Sequence, residues 1–169
     1  AALALMAYVL QANYAFFPMT GAVGELAWNS SNDFILIAAP MFIMMGELMH
    51  RSGMSERLFT ALSPWFARVP GRLIHTNIAA SAIFAATSGS SVATAATIGT
   101  VAIPNMDKGG YNRPLFLGSI AAGGTLGILI PPSINMIIYA VLTDTSVADL
   151  YAAGFIPGFL LAGLFSLMV

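Results

Sequence analysis

The chain has 169 residues, of which 58% are hydrophobic and only 8% charged, against about a quarter charged in a typical soluble domain. A soluble globular reading is nearly excluded. The net charge of −1 provides neither a basic stripe for nucleic acid nor an acidic tail, and the lack of cysteine removes disulfides, thiolate metal sites and cysteine nucleophiles. Leu73 to Met106, Pro114 to Thr143 and Leu150 to Val169 (34, 30 and 20 residues) carry no charge at all, and about 20 apolar residues cross a bilayer. The pattern is that of an all-α, polytopic membrane protein.

In chain order, Ala1 to Phe17 reads as the end of an apolar helix closed by Pro18. The apolar start lacks a basic leader, so it is taken as a truncated span rather than a signal peptide, and the chain as a fragment of a longer protein. A loop then holds Gly21, Gly24 and the cluster Asn29-Ser30-Ser31-Asn32-Asp33, whose side chains compete for backbone hydrogen bonds. Phe34 to Met49 is a second apolar span that Pro40 would kink, with Met41, Met44, Met45 and Met49 forming a packing face. From Arg51 to Arg72 the charge is mixed, and Leu58, Phe59, Leu62, Trp65 and Phe66 recur with helical period. This predicts an interfacial amphipathic helix with its aromatic side among lipid headgroups and its arginines toward water and lipid phosphate.

Leu73 to Ile103 decides the architecture. As one helix its 31 residues would extend about 46 Å, well beyond the roughly 30 Å hydrocarbon core. Its middle, Thr87-Ser88-Gly89-Ser90-Ser91, favours a turn, so the segment is expected to fold back as a re-entrant hairpin. Charge agrees, because cytoplasmic loops carry the excess of Lys and Arg. Arg51, Arg57, Arg68 and Arg72 precede the segment and Lys108 and Arg113 follow it; a hairpin puts all six on one face. Asp144 and Asp149, with no basic neighbours, then lie outside.

Pro114 to Thr143 is interrupted by Gly123-Gly124-Thr125-Leu126-Gly127-Ile128-Leu129-Ile130-Pro131-Pro132-Ser133. Consecutive prolines cannot propagate a helix: Pro132 has no donor, and Pro131 is pushed out of the α region by its successor. The expected organisation is thus two spans with an extracytoplasmic loop (1–49), a cytoplasmic interfacial helix (50–72), the hairpin and a cytoplasmic linker (73–113), a broken span (114–143), and an extracytoplasmic turn with a truncated span (144–169).

A hairpin tip and a broken helix both leave carbonyls and hydroxyls without helical partners at membrane depth, which is how secondary transporters hold coupling cations. The candidate donors are the hydroxyls of Ser88, Ser90 and Ser91 and the carbonyls of Gly127, Ile130 and Pro132. Neutral oxygens favour a monovalent ion over calcium or magnesium. The competing reading is that these small residues only permit close helix packing, the preferred reading for Gly118, Ala121 and Ala122. His75 and Asn77 are taken as structural, as is the Glu47–Arg51 pair. Intramembrane serine proteolysis lacks a partner base at the tip, and no enzymatic activity is expected.

Three stretches carry a resemblance: Pro40-Met41-Phe42-Ile43-Met44-Met45-Gly46-Glu47-Leu48-Met49, Thr87-Ser88-Gly89-Ser90-Ser91-Val92-Ala93-Thr94-Ala95-Ala96-Thr97-Ile98-Gly99, and Gly124-Thr125-Leu126-Gly127-Ile128-Leu129-Ile130-Pro131-Pro132-Ser133-Ile134. From about Phe34 onward the sequence resembles the large, DctM-like membrane subunit of tripartite ATP-independent periplasmic (TRAP) transporters, within the ion transporter superfamily. Thr94 stands where many members carry an acidic residue. The resemblance implies half of an inverted-repeat, elevator-type sodium symporter in the inner (cytoplasmic) membrane. It implies as partners a small TRAP membrane subunit and a periplasmic binding protein that delivers an organic acid such as a C4-dicarboxylate or sialic acid, with membrane lipid around them. Carried over, a sodium ion (Na+) would be held by Ser88, Ser91, Gly127, Ile130 and Pro132, with Ser90, Thr125 and Ser133 near the substrate. The alternatives are a stand-alone carboxylate or ion antiporter of the same superfamily, or a structural or channel subunit.

Overall fold

The computed structural model describes Met6, Tyr8, Val9, Ala12, Asn13, residues 19–32 and residues 34–169. Every regular element among these residues is helical: α1 (Met19–Ser31), a 3-10 turn (Phe34–Ile37), α2 (Ala38–Arg51), α3 (Met54–Phe66), α4 (Leu73–Ser88), α5 (Ser91–Gly109), α6 (Arg113–Leu129), α7 (Ile134–Thr143) and α8 (Val147–Leu167). The apolar segment expected over Ala1 to Phe17 lies mostly outside the described residues, as do Pro18 and Asp33.

Local chemistry accounts for three helix starts. Ser90 caps α5, its side chain accepting from the Ala93 N–H at 3.4 Å. Asn112 caps α6 through Leu115 N–H at 3.3 Å, with Pro114 in the first turn, where its missing donor costs nothing. Ser146 caps α8 by accepting from Asp149 N–H at 3.4 Å, and Asp149 itself sits at the positive end of the helix dipole.

Several expectations from the sequence are corrected. The segment read as a loop with Gly21, Gly24 and the Asn/Ser cluster is helical over Met19–Ser31; glycine inside a helix costs only about 1 kcal/mol against alanine. Pro40 falls in the first turn of α2, where the N–H it lacks has no intrahelical acceptor, so it does not interrupt the helix. The second hairpin arm continues past Ile103 and through Pro104 to Gly109, which takes Lys108 into the helix and out of a linker. In α3, Phe59 is buried in the protein core and Leu62 packs against it, while the Phe66 ring stacks on His75 at 6.2 Å. Most of the aromatic side therefore faces protein and not lipid. Of the methionine face, Met45 and Met49 are partly buried, whereas Met41 and Met44 are exposed.

The centre of the fold is the layer formed by α4, α5 and α6. Gly123 of α6 lies on Ser81 of α4, and Asn77 Nδ2 of α4 donates to Ser119 Oγ of α6 at 2.9 Å. The paired residues ascend together, so α4 and α6 run parallel. Along α5 the pairing reverses: Gly99 meets Ile120, and Gly124 meets Ala95 and Ser91. Small residues hold this seam, letting backbones approach closely as helices do in lipid. Phe84, Ile98, Met106 and Phe116 pack with Phe59 in one cluster. Ile78, Ala85, Leu126 and Ile130 pack in a second, against Leu161 and Phe165 of α8.

Among the described residues two stretches are long and apolar enough to cross a membrane, the 31 residues Arg113–Thr143 spanning α6 and α7, and the 21 residues of α8, with α4 a shorter apolar helix. In α8 only Gly158 is fully buried, while Phe155, Ile156, Phe159, Leu160 and Leu164 are exposed. Fully buried Phe116, whose ring sits 5.4 Å from that of Tyr111, is the residue to test this packing. Phe116→Ala in the full-length protein should cost about 3–5 kcal/mol, read as a lowered midpoint of thermal unfolding in detergent; an unchanged midpoint would place Phe116 outside the core.

Candidate functional site: a hairpin turn on a double-proline break

The chain reverses between α4 and α5 within two residues. Gly89, at φ +60°, is in the left-handed region and closes α4, its N–H donating to the Ala85 carbonyl at 3.0 Å; Ser90, extended, opens α5. A left-handed turn of this kind favours glycine. Here the position is also crowded, because a Cβ on Gly89 would sit 3.0 Å from the Pro132 carbonyl oxygen.

The second defect is short. Helix α6 runs unbroken through Gly123, Gly124 and Gly127 to Leu129, so the interruption is confined to residues 130–133. The Pro131–Pro132 peptide is cis. In a continuous helix the carbonyls of Gly127 and Ile128 would accept from residues 131 and 132, and both are prolines with no N–H. The carbonyl of Ile130 would accept from Ile134, but the Ile134 N–H is spent elsewhere: it donates to the Gly89 carbonyl at 3.3 Å.

That last bond joins the two breaks. The hairpin turn rests on the interruption of α6 and α7, and Gly127 is the point of closest approach. A Cβ there would lie 2.5 Å from the Ser90 carbonyl oxygen and 2.9 Å from the Ser91 nitrogen. Gly46 of α2 covers the turn from another side, 3.2 Å from Ser88 Cα measured to a built Cβ.

Within the tip, Thr94 organises the hydroxyls. It is fully buried, and its Oγ1 donates to the Ser90 carbonyl at 2.7 Å while lying 2.8 Å from Ser88 Oγ. A hydroxyl has one proton. With the Thr94 proton on Ser90, the Ser88 hydroxyl is the donor to Thr94, and its oxygen accepts from the Ser90 N–H at 3.5 Å with one lone pair left over. The sequence marked Thr94 only as a departure from an acidic residue; its spacing four residues after Ser90, on the first turn of a helix, was the available signal for this bond.

The structure brings Ser88, Ser90, Ser91, Gly127 and Pro132 together at the tip. Ile130 is fully buried beside them and packs on Gly158 of α8. Ser133 is also fully buried, and its hydroxyl has no hydrogen-bond partner among the described residues. Thr125 is not part of the cluster: it is exposed on α6, its hydroxyl donating to the Ala122 carbonyl at 2.6 Å. A cavity of about 240 Å³ opens beside the tip, lined by Gly46, Glu47, His50, Ser88 and Thr97 among others, and His50 Nδ1 and Thr97 Oγ1 are 2.8 Å apart across it. His75 is tied by its two ring nitrogens to Ser166 Oγ and the Pro70 carbonyl, each at 2.6 Å, a brace between the start of α4 and α8. Glu47 and Arg51 pair at 2.6 Å in the open, where solvent screens the attraction.

Chemically, the junction offers neutral oxygens only. Among the described residues no three His, Cys, Asp or Glu side chains come together. Hydroxyls and freed carbonyls around an apolar core fit a desolvated monovalent cation.

The described residues, helical in every regular element, with two stretches of membrane length and a turn docked on a helix interruption, have the character of a helical membrane protein. More particularly, the chain belongs to the DctM family: residues 1–169 match the tripartite ATP-independent periplasmic transporter, DctM component. It is similar to the C4-dicarboxylate TRAP transporter large permease protein DctM of Pseudomonas aeruginosa, 41% identical over 134 residues, 79% of this chain and 31% of that one. It is similar also to the sialic acid TRAP transporter permease protein SiaT of Haemophilus influenzae, 39% identical over 155 residues (89% of this chain, 25% of that one). A third relative is the ectoine/5-hydroxyectoine TRAP transporter large permease protein UehC of Ruegeria pomeroyi, 41% identical over 131 residues (78% and 31%). The chain therefore spans a quarter to a third of the length of these relatives, all of them named as permeases and none as an enzyme.

Two glycines test the junction. Gly127→Ala, pressed against backbone, should destabilise the full-length protein by about 1–3 kcal/mol. Gly118→Ala, which meets nothing within 4 Å, should be neutral or slightly stabilising. Equal effects in thermal unfolding would show that the close approach at Gly127 is not a constraint.

Proposed function

We propose that this chain is part of the large membrane subunit of a sodium-coupled TRAP transporter that imports an organic acid. The observation that carries the reading is the docking of the Gly89–Ser90 turn on the Ile130–Ser133 interruption, which sets carbonyls without helical donors among hydroxyls in an apolar surrounding. Backbone of this kind is tolerated at membrane depth only when buried in protein or lining a cavity.

In this reading α4 and α5 enter and leave the cytoplasmic membrane on the same side, as a re-entrant hairpin. Ser88 and Ser91 with the carbonyls of Gly127, Ile130 and Pro132 hold sodium, the ion supplying local positive charge. Thr94 acts on that site by fixing the Ser88 proton away from it. Ser90, Thr125 and Ser133 lie toward the solute. The relatives are named for a C4-dicarboxylate, sialic acid and ectoine, each bearing a carboxylate, and one is named for isethionate, a sulfonate, so an acidic group, most often a carboxylate, is the proposed common feature of the cargo. A periplasmic binding protein delivers it, and a small membrane subunit completes the complex. The chain contributes one repeat of an elevator-type pair, residing in the bacterial or archaeal inner membrane as a multi-pass protein.

The experiment is uptake of labelled organic acid into proteoliposomes that hold the full-length protein, its small subunit and its binding protein. Uptake should require a sodium gradient. Ser88→Ala with Ser91→Ala should raise the sodium concentration for half-maximal rate at least tenfold, about 1.4 kcal/mol, and Thr94→Val should raise it by a smaller factor. Unchanged sodium dependence in the double variant would misplace the site. Uptake without the binding protein would favour a stand-alone carrier, and gradient-independent leak would favour a channel component.

A further inference from the structure

Helix α3 has two unlike faces. Its inner face is accounted for, since Ser55 and Phe59 are buried and Phe66 stacks on His75. On the opposite side, positions 57, 61, 64, 65 and 68 follow one another at helical spacing, the stripe continuing past the helix because Val69 N–H donates to the Phe66 carbonyl at 3.0 Å in one more turn. Those positions are Arg57, Ala61, Pro64, Trp65 and Arg68, all exposed. Trp65 is 82% exposed, and Val69 beyond it is 39% exposed.

This is an unusual composition for a face turned to water. Between the arginines it is apolar, and its centre is the amphipathic side chain that concentrates where membrane meets water. Arg57, Arg68 and the neighbouring Arg72 have no ion pair or side-chain hydrogen bond among the described residues, whereas Arg51, a turn before α3, is paired with Glu47. The single acidic side chain of α3, Glu56, is exposed at the edge of the stripe. Arg57 and Trp65 stand eight residues apart, about 12 Å along the helix, and Arg68 lies one turn beyond. Two guanidinium forks, each able to take a phosphate through paired N–H donors, thus flank an indole that can lie among acyl-chain ends while the arginine stems extend to the headgroups.

We propose that the outer face of α3 is a binding site for anionic phospholipid, with Arg57 and Arg68 on the headgroup phosphate and Trp65 at the acyl boundary. The proposal rests on the membrane-embedded reading above and goes beyond it by naming the lipid charge and the residues that select it. Charge complementarity favours lipid over an apolar protein segment, since three unpaired cations face outward beside one carboxylate.

The test uses the full-length protein with p-benzoylphenylalanine in place of Trp65, reconstituted in nanodiscs of phosphatidylglycerol and phosphatidylcholine in equal amounts and cross-linked by light. Mass analysis should find lipid adducts in which phosphatidylglycerol exceeds phosphatidylcholine at least fivefold. Each arginine near an anionic surface contributes roughly that factor, so Arg57→Gln with Arg68→Gln should bring the ratio close to one. Because these side chains are exposed, the variants should keep the unfolding midpoint of the unsubstituted protein. A cross-link to protein, no preference between the lipids, or a preference that survives the double variant would each overturn the proposal while leaving the transporter reading in place. Failure of the protein to enter nanodiscs at all would overturn both.

Discussion

Two successive prolines place two peptide nitrogens without hydrogens in the middle of a 31-residue apolar stretch, and the arrangement of the central helices depends on how that deficit is met. The carbonyls of Gly127 and Ile128 lose their helical donors outright, and Ile134 gives its N–H to Gly89 instead of Ile130. In a water-poor surrounding an unpaired peptide group costs several kcal/mol. The hairpin turn is the element that reaches this region. It can do so because Gly127 has no side chain to hold Ser90 and Ser91 away, and because Gly89 turns left-handed against the Pro132 carbonyl.

The rest of the layer makes that meeting reproducible. Parallel α4 and α6 are registered by Asn77 on Ser119 and by Gly123 on Ser81, and α5 slots beside α6 at Ala95 and Gly99. Polar contacts then anchor the periphery, with His75 bridging to Ser166 of α8 and His50 to Thr97 of α5. Such pairs between helices are individually small in lipid, on average about 0.6 kcal/mol, but they are directional. Apolar packing by Phe84, Phe116, Leu126 and Ile130 fills the space without choosing a register; the amide and hydroxyl contacts choose it. The outer surfaces of α2 and α8 stay apolar and exposed, in keeping with a chain that spans only part of its relatives' length.

Some of this was legible in the residues themselves. The observed turn at Gly89 and Ser90 lies within the Thr87-Ser88-Gly89-Ser90-Ser91 cluster, and the interruption at Ile130 to Ser133 lies within the glycine- and proline-rich stretch. The glycines there were a weaker guide than the prolines: α6 passes through Gly123, Gly124 and Gly127 because close packing on Ser81, Ala95 and Ser90 suits a missing side chain. Composition misled at residues 19–31, where turn-forming residues are helical, and at Pro104, which lies within α5. In α3 the apolar period was correct, but periodicity says that a face is covered and not by what; the covering of Phe59 is protein, and Trp65 alone among the aromatics turns outward.

By itself, the sequence determined that this is a helical membrane protein with two backbone defects, since scarcity of charge, run length, and the chemistry of glycine and proline are local properties. Its motifs also carried the family. Only the tertiary structure decided that the two defects meet, because the bond from Ile134 to Gly89 and the approach of Gly127 to Ser90 join residues 45 and 37 positions apart. It alone assigned Thr94 its part in orienting the Ser88 hydroxyl and left Thr125 outside the cluster. Hydrogen bonding and packing act through space, and a single sequence does not state which distant residues become neighbours.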